Sequence, residues 1–284
     1  MGLWRNLIMK IADIFTVNGY GVIVSGAASG LGLGYTEALA ANGARVTMLD
    51  VDSQGLEAET QRLRAAGLDV RGVCVDVTDH PAIDRAFADA ARAYGRIDVV
   101  FANAGIDPGA GFVKGWAGSQ AIREPAGALE VYTDERWNRV IDINLNGVFA
   151  TVRAAARHMK PQGSGHIIVT TSLASTQVEG AIGSAYMTAK AGARHFMHCA
   201  ALELAAYNIT VNAIAPGIFA TNIGGGHSKN PAVQEAFAKV IPMHRVAFPD
   251  DIKGLALFLA CPASNYVTGQ EIVIDGGLGL GKAD

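Results

Sequence analysis

Cysteine is scarce in this chain: Cys74, Cys199 and Cys261 are its only three among 284 residues. Odd in number, widely spaced and without a CxxC pair, they argue against a disulfide framework and suit reduced packing thiols of a cytosolic protein. Charge is sparse as well, at 17% of residues, with a net value of -3 and no dense run of Lys or Arg. That balance argues against a polyanion-binding surface, so no nucleic-acid partner is expected. No apolar stretch is long enough to cross a bilayer, and no membrane partner is expected either. Residues 1–11 mix Leu, Trp and Ile with Arg5 and Lys10 but show no clear cleavage site. Residues 1–18 therefore read as an N-terminal extension, with Met9 an equal candidate for the native start.

Hydrophobic residues are plentiful, at 50%, enough to bury a substantial core. From Tyr20 onward short apolar runs alternate with longer helix-patterned stretches, as a parallel sheet with crossover helices requires. Seven strands are predicted, at residues 21–25, 45–49, 70–75, 99–102, 166–171, 210–215 and 271–274. Gly43, Gly67 and Gly95 each follow an Ala-rich amphipathic stretch and mark helix ends, and Pro81 fits a first helical position. No linker, repeat or charge shift divides the chain, so residues 19–284 are expected to form one α/β domain. Two segments look irregular: an insert at 106–131 and a loop at 221–229, whose Gly224, Gly225 and Gly226 suggest a hinge into a helix within a substrate loop at 221–243.

Chemistry concentrates in two motifs. Tyr186 and Lys190 lie four residues apart, which on a helix stacks a phenol and an ammonium on one face. A unit charge at about 4 Å with an effective dielectric near 20 supplies about 4 kcal/mol, or roughly 3 units of depression in a phenol that ordinarily titrates near 10. Such a pair can act as an acid/base catalyst, although the same spacing also serves as an ordinary surface pair. The second motif, Ser25-Gly26-Ala27-Ala28-Ser29-Gly30-Leu31-Gly32, falls between the first strand and a helix-patterned run. Backbone amides and a helix amino terminus there suit a pyrophosphate. Asp50 ends the second strand, where a carboxylate can accept both hydroxyls of an adenosine ribose and repel a 2'-phosphate. Neither Ser29 nor Val51 offers a cation for such a phosphate, so NAD is favoured over NADP. Asp76, followed by Val77, ends the third strand and is either an acceptor for the adenine amino group or a plain turn residue.

With these residues in place the chain resembles the short-chain dehydrogenase/reductase family over about residues 20–278. The family's TGxxxGxG is matched with Ser25 for Thr, its NAG by Asn103-Ala104-Gly105, and its YxxxK by Tyr186 and Lys190. The resemblance implies a Rossmann-type doubly wound parallel sheet, an NAD-dependent oxidoreductase of secondary alcohols or ketones, and a cytoplasmic homotetramer. It further implies catalytic roles for Asn144 and Ser172, with Thr171 and Ser175 as alternative hydroxyls because Ser172 stands 14 positions before Tyr186. Pro216-Gly217-Ile218 with Thr221 resembles the nicotinamide-carboxamide segment, and Asp275-Gly276-Gly277 the closing strand end. Tyr186 would exchange the hydroxyl proton, Ser172 would hold the reacting oxygen, Lys190 would hold the ribose, and Asn144 would support Lys190 or simply bend its helix. The connection from Gly105 to Asn144 is longer than the family's usual one. An NADPH-dependent carbonyl reductase of 3-oxoacyl type and a non-catalytic nucleotide-sensing protein are the competing readings.

His195, His198 and Cys199 share a helical stretch but lack a further ligand pair, so no metal is expected. His227 is read as facing water. Trp116 and Phe219 either wall an apolar pocket or pack in the core or between subunits. Val178, Ile182 and Phe219 around the expected site, with no charged partner evident, suggest a cyclic or apolar small-molecule substrate.

Overall fold

The computed structural model describes residues 10–107, 109–114 and 122–281. Nine strands are present among them: β1 (Gly21–Ser25), β2 (Arg45–Asp50), β3 (Val70–Cys74), β4 (Val99–Ala102), β5 (Val113–Lys114), β6 (Ile122–Arg123), β7 (Gly165–Thr170), β8 (Ile209–Pro216) and β9 (Glu271–Ile274). The α-helices are α1 (Ile11–Ile14), α2 (Gly30–Ala41), α3 (Ser53–Ala65), α4 (His80–Tyr94), α5 (Asp134–Ile141), α6 (Gly147–Gln162), α7 (Ser184–Leu204), α8 (Pro231–Ala238) and α9 (Pro249–Ala260). Seven strands form one parallel sheet in the order β3-β2-β1-β4-β7-β8-β9. All seven predicted strands are found, with ends within one residue of their expected positions.

Both faces of the sheet are covered, so its central strands are apolar throughout instead of alternating. Every residue of β1, β4, β7 and β8 is buried. Side chains still divide with the two-residue period of a strand. Ile23, Val100 and Ile167 join Phe87, Met159 and Met197 on one face, while Val22, Val24 and Ile168 join Tyr35, Leu39 and Leu259 on the other. Tyr35 of α2 stacks on Phe101 of β4 at 4.5 Å. Each fully buried side chain of this size contributes about 1.5–3 kcal/mol. The edge strand β3 is only partly covered, which leaves Cys74 exposed; Cys199 is exposed too, and only Cys261 is buried. Two of the three cysteines therefore lack the packing role expected of them.

Helix ends follow local chemistry. The Asp79 carboxylate accepts from Ala82 N at the start of α4, Pro81 lies in the first turn, and Gly95, with φ of 79°, ends the helix. Sheet order changes direction between β1 and β4, so the helices following these strands lie on opposite faces and a crevice opens at the carboxyl ends. The insert, expected to be irregular, contains an antiparallel pairing of β5 with β6 in the register Val113↔Arg123. Two residues per strand leave too short an alternation to be read from sequence. Main-chain bonds from Gly111 N to Ala181 O and from Val113 N to Gly180 O fasten it to the segment before α7. The loop at 221–229 forms a 3-10 turn (Ile223–Lys229) leading into α8. Trp116 lies outside the described residues. Among the described residues no helix is long and apolar enough to cross a membrane.

Candidate active site

The crevice is a cleft of about 1430 Å³ that runs from the β1–α2 turn to the start of α7. Gly26, Ser29, Gly30 and Leu31 line one end. Gly26 has φ of 66°, and a Cβ there would lie 2.9 Å from the Ala104 Cα. Gly32 is outside the lining but holds the turn closed: a Cβ would sit 2.0 Å from the Gly26 carbonyl oxygen. No side-chain oxygen caps α2, and its first turn carries no acidic residue. Amides at its amino terminus are thus left for an anion, and the close backbone approach is the cradle that a pyrophosphate needs.

Asp50 lines the cleft at the end of β2, beside the exposed Val51. Its Oδ2 accepts from Ala28 N at 2.9 Å and its Oδ1 from Asp52 N at 3.0 Å, which fixes the carboxylate while each oxygen keeps further acceptor capacity. Asp76 and Val77 line the same end. Asp76 Oδ1 accepts from the amide and hydroxyl of Thr78, the turn role left open by the sequence. Asn103, Ala104 and Gly105 also line the cleft. Asn103 Nδ2 donates to the carbonyls of Ser25 and Gly26, and the Ser25 hydroxyl accepts from the amides of Asn103 and Ala104. Ser25 thus does the work of the family's Thr, tying the glycine turn to the end of β4.

Tyr186, Lys190 and Ser172 meet deeper in the cleft. Tyr186 lies close enough to Ser172 for the serine to act on its phenol. Burial pushes the phenol up to about 12, the Ser172 hydroxyl works against the rise, and the Asp107 carboxylate adds to it. Burial pushes Lys190 down to about 8. Its Nζ donates to the Thr170 carbonyl at 2.9 Å and lies 5.6 Å from the centre of the Tyr186 ring. Burial therefore dominates the phenol in the protein alone and holds it above its ordinary value despite the nearby ammonium. Thr171 and Ser175, the alternative hydroxyls, both bond to Glu271 instead, at 2.6 and 2.8 Å. Asn144 is fully buried behind the cleft wall. It lies in a π-helical turn (Asp142–Asn146) between α5 and α6, and its Nδ2 donates to Val140 O and Ile106 O. Its Oδ1 has no hydrogen-bond partner among the described residues, and a Cβ on Gly105 would lie 2.7 Å from it and 3.5 Å from Lys190 Nζ.

Pro216, Gly217 and Thr221 complete the wall after β8, whereas Ile218 lies behind it. A Cβ on Gly217 would come 2.6 Å from that of Asp275, whose carboxylate accepts from Gly277 N and Gly279 N. Thr221 packs beside Gly30, so the two ends of the cofactor region touch.

The substrate end departs from expectation. Val178 is 85% exposed and, like Ile182, stands outside the lining; Phe219 both lines the cleft and packs into the interior. Asp107, Glu135, Arg136 and Arg139 line the cleft, so its walls are not apolar. Asp107 lies in the insert, where weak periodicity hides which side chains turn inward, and the other three lie on α5. The Thr170 carbonyl that holds Lys190 has no sequence signal at all, since a backbone acceptor is present at every residue. His195 and His198 stand 6.4 Å apart edge to face on α7, and among the described residues no group of three or more His, Cys, Asp or Glu converges.

Comparisons with known proteins extend this picture. A family model described as enoyl-(acyl carrier protein) reductase matches residues 26–279. The chain is similar to an L-rhamnose 1-dehydrogenase (NAD(P)(+)) of Azotobacter vinelandii, at 33% identity over 90% of this chain and 95% of that protein. It is also similar to a cis-4-hydroxycyclohexanecarboxylate dehydrogenase of Sinomonas cyclohexanicum, at 35% identity over 90% and 94%. Among solved structures, a gluconate 5-dehydrogenase of Burkholderia cenocepacia in complex with NADP and tartrate superposes with a TM-score of 0.82, at 28% identity over 95% and 99% of the two chains.

Proposed function

The chain belongs to the short-chain dehydrogenase/reductase family, and from that premise we propose that it is an NAD-dependent oxidoreductase interconverting a secondary alcohol and its ketone, with Tyr186 as the acid/base. One observation carries the reading: a phenol and a serine share a cleft with a lysine, a glycine turn and a strand-end carboxylate.

Amides of the turn at Gly26 to Gly32 would hold the pyrophosphate, Asp50 the adenosine ribose, Lys190 the nicotinamide ribose, and Thr221 the carboxamide. The bound dinucleotide supplies a ring carbon that accepts or returns hydride. In oxidation the Tyr186 oxygen takes the proton of the alcohol hydroxyl; in reduction it returns one. Ser172 Oγ fixes the reacting oxygen and favours the ionised phenol. Lys190, anchored on Thr170 O, contributes positive charge, and Asn144 packs behind it through Gly105. Asp107, close enough to Tyr186 to act on its phenol, supports a hydroxyl-bearing substrate over a purely apolar or anionic one. A homotetramer is proposed on family resemblance, and a monomer mass by light scattering would reject it.

The test is a panel of secondary alcohols and ketones, including L-rhamnose, gluconate and cyclohexanol, followed by nicotinamide absorbance with both dinucleotides. Preference for NAD is expected, as is a loss of at least about a hundred-fold in Tyr186→Phe. Undiminished turnover in that variant overturns the acid/base assignment. The NADP held by the gluconate 5-dehydrogenase structure favours a second reading, an NADPH-dependent reductase; activity with NADPH equal to or above that with NADH would select it. A nucleotide-sensing protein would bind dinucleotide and turn over nothing in the panel.

A further inference from the structure

One carboxylate outside the site described above gathers three elements. Glu271 opens β9, and its side chain is 6% exposed. Its Oε1 accepts from the Thr171 hydroxyl at 2.6 Å and from the Ser175 hydroxyl at 2.8 Å. Its Oε2 accepts from Arg194 Nε at 2.7 Å. A buried carboxylate is tolerated only with such partners, since desolvation otherwise drives it neutral.

Placement gives the cluster its meaning. Thr171 directly precedes Ser172, and Ser175 ends the 3-10 turn (Leu173–Ser175) that Ser172 opens. The turn is closed by Ser175 N on Ser172 O, and Ser172 Oγ accepts from Ala174 N. Glu271 therefore grips the side chains of residues on both sides of Ser172. Arg194 follows Tyr186 and Lys190 at successive four-residue steps along α7, on the same stripe of that helix. Lys190 ties this stripe to the carbonyl of Thr170, and Arg194 ties it through Glu271 to Thr171 and Ser175. The helix that carries the phenol and the turn that carries the serine are joined at two levels.

We propose that Glu271 and Arg194 are positioning residues that hold the Ser172 turn at its working distance from Tyr186. The clamp rests on the proposed role of Ser172. Its effect travels through backbone placement, so it acts on the chemical step and leaves the glycine turn untouched.

A double-substitution cycle with NAD and the alcohol of the panel that turns over fastest tests it. Glu271→Leu lowers kcat roughly ten-fold or more, the scale of a modest misplacement of a reacting group, with KM for NAD within about two-fold. In a Ser172→Ala background the same substitution lowers kcat less than about two-fold, because the group it positions is already gone. Glu271→Gln, which keeps an oxygen facing both hydroxyls, recovers much of the loss. Hydrogen exchange needs no substrate: Glu271→Leu speeds exchange in residues 170–176 and spares residues 25–32. Equal losses in both backgrounds, unchanged kcat in Glu271→Leu, or faster exchange throughout the chain would each overturn the clamp. If Leu at 271 does not fold, Thr171→Val with Ser175→Ala removes the same two grips while retaining the ion pair, and must show the same non-additivity. Tyr186→Phe in parallel separates the failures: full turnover there rejects the acid/base reading, whereas loss there with Glu271→Leu unaffected rejects the clamp alone.

Discussion

Replacing Lys190 by Met removes the cation nearest the proposed base while keeping most of the side chain's volume. At the 5.6 Å separating Nζ from the Tyr186 ring centre, a unit charge in an effective dielectric near 20 is worth about 3 kcal/mol, or roughly two pKa units. The sign follows from what the charge favours. An ammonium stabilises the phenolate, so its loss raises the phenol's pKa and moves the rising limb of the rate profile for alcohol oxidation to higher pH. At neutral pH that displacement lowers kcat/KM about a hundred-fold. Burial holds Lys190 down to about 8 and Tyr186 up to about 12, so positive charge on Lys190 opposes the rise of the phenol. The assay is nicotinamide absorbance from pH 6 to 11 (values of about these limits suffice), paired with NADH affinity by fluorescence to separate the ribose contact from the charge effect. A limb that stays where it was, with only the affinity reduced, would refute the electrostatic role.

Gly32→Ala drives a methyl to 2.0 Å from the Gly26 carbonyl, so the turn must open; NADH affinity is expected to fall more than about ten-fold by fluorescence titration, with the far-ultraviolet dichroism retained. Asp50→Ala removes the carboxylate that would repel a 2'-phosphate, and the ratio of kcat/KM with NAD to that with NADP should drop about ten-fold or more; an unchanged ratio would remove Asp50 from cofactor choice. His166 is buried against Thr210 Oγ1, and burial pushes it down to about 4. Because the folded state resists protonating it, its contribution to stability is intact above about 6.5 and is lost as pH falls toward about 4, roughly 3 kcal/mol in all. Urea unfolding of the wild type and His166→Asn across that range checks this, with a flatter pH dependence expected in the variant.

The sheet was legible because buried parallel strands leave uninterrupted apolar runs, as at β1 and β4, and because Gly95 and Pro81 punctuate a helix by their own geometry. Residues of the candidate site were legible where a side chain or a missing Cβ carries the function, as at Tyr186, Asp50 and Gly32. Roles that depend on the surroundings were not. Nothing in the order of residues distinguishes Ser172 from Thr171 and Ser175; the distinction arises because Glu271, a hundred residues after Thr171, takes the other two hydroxyls. The inward turn of Asp107 was equally hidden, since the β5–β6 pairing in the insert spans two residues per strand.

That pairing, and the bonds that fasten the insert to residues 180–181, are made by main-chain atoms. This main-chain part of its cohesion is indifferent to which amino acids decorate the insert, while Lys114 adds an ion pair to Glu124 at 2.6 Å. Exchanges at Val113 and Ile122 alter the insert's outline at small cost to its main-chain anchorage, while Tyr186, Ser172 and Lys190 elsewhere stay in register. The outline of the insert and the groups around Tyr186 thus sit on separate parts of the polypeptide, and the first can be revised without displacing the second.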